Sequence, residues 1–514
     1  MKNAFRLLLT GLVVLWGCTA QELPHLDETQ NNPENTNQEE PQSDALDFRV
    51  QVEGKDYRPV DESDSGCIIF VPWEADLKNL VAVFNDNGST LTVAGVTQES
   101  GVTTNNFSSY KNGVNYKIKT PDGKTTDFNV KVLGTRLPVV VVNTDSPRAI
   151  TSKTTWRAAQ ISIMGTDWKL YQLGKTEIRG RGNWTWEKYP KKPYAIKLEN
   201  SQKVLGMPAH KRWVLLAQYR GFIGNPLMFE ATRRAPGLGW APRGEFVELV
   251  LNGKFQGLYY LCEQIKIDKD RVNIAKLKAA DTKYPAVSGG YLLEYDELYD
   301  EPHKFKSAGF NLPVQIKSPN DTLPDEQFNY IKTFINEMEA EIKKIGSSNE
   351  SRYTDYLDIN TFADWWLVLE TISNYEAYKP RSVKFYKGRD GVDSAPGTVC
   401  KLKAGPLWDQ ELFLVDKKFN SKDMYYFKYL FRDPVFVETV KKRWEVYKGN
   451  ILGNGKYPDF VEYMEDIVSL IKESANRDIA LWENPYFTLS SEVQTVRRGF
   501  HSKIEWMDSQ IKAL

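Results

Sequence analysis

The apolar positions change period along the chain. Between residues 47 and 136 they come in short alternating runs: FRVQV (48–52), CIIFV (67–71), LVAVF (80–84), TLTVAGV (90–96), YKIKT (116–120) and FNVKVL (128–133). Asn-Gly, Asp-Gly and serine-rich turns separate them. This period-two pattern predicts a small antiparallel β-sandwich over 47–136. From LPVVVVNTD (137–145) onward the pattern is α+β, with strand signals dominant to about residue 298. VELVL (247–251), Asn252-Gly253 and KFQGLYYLCEQI read as a hairpin closed by a type I′ turn.

Beyond that point the spacing becomes three and four. Phe328, Ile331, Ile335, Met338, Ile342 and Ile345 predict a helix, with Gly346 as its stop. A second is expected over 360–378, carrying Trp365, Trp366 and Leu369. Asp433-Pro434 opens a third, with Phe436, Val440 and Trp444 on one face. Phe460, Met464, Ile467 and Ile471 mark a fourth, and Val493, Val496, Phe500, Ile504 and Ile511 the last. The expected fold class is therefore α+β: a β-sandwich, then a body with a strand-rich front and a helical back.

The first residues read as an export signal. Lys2 and Arg6 form a positive start, and Leu7 to Gly17 an apolar stretch too short to span a bilayer. Leu15-Trp16-Gly17-Cys18 looks like a bacterial lipobox, so residues 1–18 are expected to be a lipoprotein signal with lipidation at Cys18. Residues 19–46 contain no Lys or Arg and few apolar groups, which predicts a disordered acidic tether. The expected location is outside the cytoplasm, lipid-anchored to the cell envelope at the outer membrane, with the membrane as first partner.

At 514 residues the chain is too long for one core, and two or three domains are expected. Lys+Arg and Asp+Glu are both 67, and that balance argues against nucleic acid as a partner. The remaining cysteines, Cys67, Cys262 and Cys400, are far apart and form no CxxC pair, so neither a zinc site nor a disulfide framework is expected. Cys262 reads as a buried small hydrophobe. The four histidines are scattered without metal or triad spacing, and His210 reads as a solvent-facing turn residue. The 14 tryptophans fit either a thick core or sugar-stacking platforms.

Candidate chemistry gathers in a basic, glycine-rich stretch. Arg179, Arg181, Lys191, Lys192 and Lys197 lie within nineteen residues, and Gly180 and Gly182 would let backbone approach a ligand. Glu294 and Asp296 end a strand on one face. No GxxxxGK[ST], HRD or DFG motif is present.

IRGRGNWTW (178–186), KKPYAIKL (191–198), LGMPAHKRWVLLAQY (205–219) and the segment 247–274 resemble, in order, the CotH family of spore-coat kinase-like proteins. The resemblance covers roughly 180–512. It implies a kinase-like body over 137–514 acting as an atypical ATP-dependent protein kinase, with ATP and Mg²⁺ as cofactors and a surface or secreted protein as substrate. It implies a nucleotide side lined by Arg179, Arg181, Lys192, Lys197, Glu263, Lys266 and Arg271. SNYEAYKPRSVKFYK (373–387) and GPLWDQELFLV (405–415) are similar to the family's N-x-D and W-D-x-D-L segments. That implies Asn374 and Glu376 as catalytic residues and Asp409 and Glu411 as metal ligands. Glu376 and Glu411 stand where the family has Asp. The extra methylene moves the oxygen by about 1 Å, enough to cost on the order of 100-fold in rate. Two functions stay open: a working kinase, or a catalytically weakened kinase-like scaffold of a surface assembly. Before the body, 47–136 resembles the Ig-like or cadherin-like modules of Bacteroidetes surface lipoproteins.

Overall fold

A computed structural model describes residues 46–347, 350–410, 412–484 and 488–514. The export signal, Cys18, the tether up to residue 45 and Glu411 lie outside the described residues. Between Arg49 and Thr135 the chain forms a four-stranded and a six-stranded sheet. Val50, Leu80 and Ala82 of the first meet Ile69, Tyr116 and Val130 of the second in one core. One pairing departs from the antiparallel expectation: the long strand Thr125–Thr135 runs parallel to Gly66–Pro72. It leads directly toward the next strand, Val139–Thr144.

Seven strands then close into a barrel. They are Val139–Thr144, Arg157–Met164, Leu170–Gly180, Tyr194–Val204, Met207–Leu216, Gly244–Leu251 and Lys254–Glu263. The first and sixth pair in parallel to complete the ring. The expected hairpin is present: Leu251 faces Lys254, and Asn252 and Gly253 both take positive φ (50° and 68°). Alternate residues such as Ile161, Ile178, Ile196 and Leu261 fill the barrel. The opposite faces of its later strands turn outward, and Val214, Leu216, Phe246, Tyr260 and Cys262 join the main core. Val60, Ile68, Phe70 and Leu133 pack on Val139, Val141, Met164 and Val250, tying the N-terminal sheets to the barrel.

A five-stranded sheet, ordered Lys304–Lys306, Pro313–Ser318, Tyr291–Tyr295, Val383–Lys387, Leu402–Ala404, follows the barrel. Eight α-helices occur among the described residues: α1 (Trp184–Lys188), α2 (Gly224–Arg234), α3 (Asp325–Lys344), α4 (Ile359–Ile372), α5 (Phe427–Leu430), α6 (Pro434–Leu452), α7 (Phe460–Trp482) and α8 (Leu489–Lys512). The fold is thus mixed α/β with a helical C-terminal part. α6 starts as its sequence dictates, with the Asp433 side chain capping Val435 N and Pro434 in the first turn.

Two elements differ from expectation. α2 lies inside the strand-rich front. Ten of its eleven residues are buried, so it has no polar face to produce a three–four pattern. α4 stops at Ile372 rather than running to 378. Ser373 takes a left-handed conformation (φ 51°), and Asn374 Oδ1 accepts from Ala377 N at 2.8 Å, substituting a side-chain turn for the next helical turn.

The buried backbone donors at the start of α2 are met from α8. Glu492 accepts from Phe222 N (2.8 Å) and Ile223 N (3.2 Å). Burial pushes its carboxyl up to about 7, against the opposing pull of these N–H groups. A carboxyl raised on folding contributes stability below its unfolded value that is lost as pH rises through the folded one. Stability is therefore expected to fall by about 3 kcal/mol between roughly pH 4.5 and 7. Glu492→Gln should flatten that part of a denaturation-versus-pH curve.

Candidate functional site

The outward face of the barrel strands 170–180, 194–204 and 207–216 carries a row of cations. Lys197 lies opposite both Glu177 and Arg212 in the ladder. The guanidiniums of Arg179 and Arg212 sit 4.7 and 5.1 Å from the centre of the Trp156 ring, and the Lys197 ammonium 6.0 Å from it. Lys266, just beyond the last barrel strand, and Lys317, from the second sheet, extend the row. Burial lowers the pKa of Arg179, and Arg212 and Arg181 lower it further. Burial lowers that of Lys266 too, with Arg212 and Lys317 adding to the effect. Lys197 has Glu177 at 2.5 Å, and Lys317 has Glu294 at 3.0 Å. Among the described residues, no carboxylate pairs at that range with Arg179, Arg181, Arg212 or Lys266. The row is half-buried, its cations repel at Arg179 and Lys266, and Glu177, Glu301 and Asp321 offset this only from a distance.

Arg181 turns the row toward the carboxylates. Its guanidinium lies 5.5 Å from the Trp408 ring. Burial lowers its pKa, while the charge of Asp409, and behind it Glu294, acts to hold it up. Asp409 is exposed and left-handed at φ 72°, a conformation uncommon for a residue with a side chain. Ser382 bridges it to a second carboxylate: Ser382 Oγ lies 3.3 Å from Asp409 Oδ2, and Ser382 N donates to Asp296 Oδ2 at 3.0 Å. Glu294 and Asp296 are both buried. Burial acts to raise Glu294, but Lys384 and Lys317 overcome it and hold the carboxyl at about 2. Asp296 is raised, chiefly by burial. Two carboxyls two residues apart are thus driven in opposite directions.

Asn374 is buried beside Asp409's neighbour: its amide donates to Gln410 Oε1. Glu376 is half-exposed, with Arg381 Nη1 3.3 Å from its carboxylate. No group of three or more His, Cys, Asp or Glu among the described residues is arranged to hold a metal.

A model for the family described as CotH kinase protein matches residues 178–510. The chain belongs to this family. No curated protein matches it. A crystal structure described as that of a putative glycoside hydrolase from Bacteroides thetaiotaomicron VPI-5482 aligns at 13% identity over 34% of this chain and 53% of that one. Its TM-score is 0.18, and the likeness carries no weight for fold or function.

In this CotH body the remaining expected site residues stand apart from the row. Glu263 is fully buried and is gripped by Arg243 through Nε (2.9 Å) and Nη2 (2.8 Å). Arg271 completes that network: it donates to Arg212 O at 2.9 Å, and burial lowers its pKa to about 10. Lys192 donates to Trp186 O and lies 5.6 Å from the Trp186 ring. The space above Gly180 is filled by the Trp186 indole rather than left for a ligand. His210 lies in a strand, not a turn; its Nδ1 accepts from Arg212 N, and burial lowers its pKa to about 4. Arg212, Lys317, Ser382 and Gln410 join the site without having been singled out, whereas Asp296 was read with Glu294 as candidate chemistry. Of the four, Arg212 had a usable signal, its place opposite Lys197 across one hairpin.

Proposed function

We propose that this CotH chain binds an ATP–Mg²⁺ complex along the cation row beside Asp409 and transfers phosphate to a hydroxyl of a surface or secreted protein. The observation that carries the reading is the row Arg181–Arg179–Arg212–Lys266, whose members make no close carboxylate pair and which ends at Asp409. Half-buried cations without a close carboxylate repel one another, and a polyphosphate would relieve that repulsion. Mg²⁺, when bound, would neutralise phosphate charge. Asp409 would offer a hard oxygen ligand of the right type, with Glu411 and Asn374 as the further ligands that the family resemblance implies. Asp296, kept more basic than an ordinary Asp by burial, is a further carboxylate within the same group. The proposed setting is an exported lipoprotein anchored at Cys18, with an Ig-like module over 47–136 between membrane and body.

A second reading, a nucleotide-binding scaffold with little turnover, is favoured by Glu376. It stands at the family's catalytic Asp position and is drawn toward Arg381. Asp409→Asn separates binding from fold. It should weaken Mg²⁺-dependent nucleotide binding by about tenfold or more and leave the melting temperature unchanged. Equal affinity with and without Mg²⁺ in the unaltered protein would end the kinase reading. Glu376→Asp with Glu411→Asp should raise phosphotransfer if turnover is merely weakened. For the anchor, Cys18→Ser should move the protein from the membrane to the soluble fraction.

A further inference from the structure

The segment after Asp409 is fastened repeatedly to the C-terminal end of α4. The Gln410 side chain accepts from Asn374 and donates to Leu412 O and to Ile372 O (3.4 Å). Leu414 N donates to Ile372 O at 3.3 Å, and Asp416 N to Ser373 Oγ at 3.1 Å. Further on, Glu370 accepts from Asn420 N (2.8 Å) and Ser421 N (2.7 Å). Into the middle of this strap comes Lys503 of α8, fully buried. Its ammonium donates to Asp416 O, to Ser373 Oγ at 3.3 Å and to Lys418 O at 3.4 Å. A buried ammonium is costly unless charge and acceptors surround it. Here the carbonyl end of α4 contributes its negative pole, and Glu370 and Asp416 lie near. The protein accepts that cost one residue away from Asn374.

We propose that Lys503 is a positioning residue of the candidate site: by clamping 412–421 against Ser373 it fixes Asp409 and Asn374 relative to each other. The proposal rests on the nucleotide reading above. The groups facing the ammonium are Glu370 of α4, Asp416 and Lys418 of the strap, and the Trp506 ring of α8 at 5.2 Å. Burial lowers the Lys503 pKa to about 8, with Lys418 adding to this and Glu370 and Asp416 opposing it. The clamp should therefore loosen as pH rises through about 8.

The test compares the full chain with Lys503→Met and Lys503→Arg. In Lys503→Met, amide hydrogen exchange across 412–421 should rise about tenfold or more, while amides of the α8 core near Phe500 stay protected. Affinity for Mg–ATP should fall about tenfold in the same variant, and Lys503→Arg should restore both. Affinity of the unaltered protein should also drop above pH 8, and Lys503→Arg should not show that drop. Should Lys503→Met not fold, Ser373→Ala removes the hydroxyl shared by Lys503 and Asp416 N, and should give smaller changes of the same sign. Unchanged exchange in 412–421, or faster exchange with unchanged Mg–ATP affinity, overturns the proposal. No Mg–ATP binding by the unaltered protein defeats the nucleotide reading, and Lys503 then has no site to position.

Discussion

Replacing Asp478 by alanine is expected to destabilise the protein by about 3–5 kcal/mol. Asp478 lies on α7 and is almost wholly buried. Its Oδ1 accepts from the Lys191 ammonium at 2.6 Å and from Leu258 N at 2.9 Å. Lys191 is itself fully buried, 4.6 Å from the Tyr259 ring, and also donates to Leu258 O. Without Asp478 that ammonium would stay buried with no counter-charge, which is the costly way to break such a pair. The contact also requires Gly257, since a Cβ there would collide with the Asp478 carboxylate. Lys191→Met with Asp478→Leu should cost much less than either change alone, because no charge is then stranded. Urea denaturation of the three variants checks this. Additive losses would mean that the two side chains act independently. Because Lys191 belongs to the barrel side and Asp478 to the helical side, a large loss also shows that the two are one cooperative unit.

Trp444→Ala should cost about 3–5 kcal/mol by leaving a cavity in the helical core. Trp444 is fully buried on α6, which packs against α4 and α8. Its indole N–H donates to Asp508 Oδ1 on α8 at 2.9 Å. Asp508 also receives Lys448 (2.8 Å) and Lys512 (2.7 Å). Burial acts to raise its carboxyl, but these three donors together hold it well below the usual carboxylate range. Trp444→Phe keeps most of the volume and loses the hydrogen bond, so it should cost only about 1–2 kcal/mol. A melting temperature unchanged in Trp444→Ala would mean that α6 is not part of the core.

The elements that local chemistry determines were legible in the chain. Asn252-Gly253 gives the hairpin because its two positive φ values suit few other residues. α3 is read from its apolar stripe because its other face meets water, and Gly346 does follow its end at φ 78°. α2 was not legible because burial on all sides removes the polar face that creates a period. The candidate site was legible only in pieces. Arg179, Arg181 and Lys197 stood out by their density, and Asn374 and Asp409 by family resemblance. Arg212 enters through its pairing with Lys197 across one hairpin, and Lys317 through the docking of the second sheet beside Lys266. Glu263 shows the converse: a carboxylate at an expected position is taken by Arg243, which the register of the Asn252-Gly253 hairpin sets opposite it. Gln410 was passed over as the variable residue between Asp409 and Glu411, yet its side chain joins the Asp409 segment to Asn374.

The central claim is that the cation row and Asp409 serve one phosphate-bearing ligand. Isothermal titration of the soluble chain with ATP, with and without Mg²⁺, tests it most directly when repeated on Arg181→Ala, Asp409→Asn and the double variant. The account predicts Mg²⁺-dependent binding in the unaltered protein, weakened by each single change. It also predicts a double variant weaker by clearly less than the product of the two, since both groups act on the same ligand. No binding at millimolar ATP and Mg²⁺, or two losses that simply multiply, would contradict it.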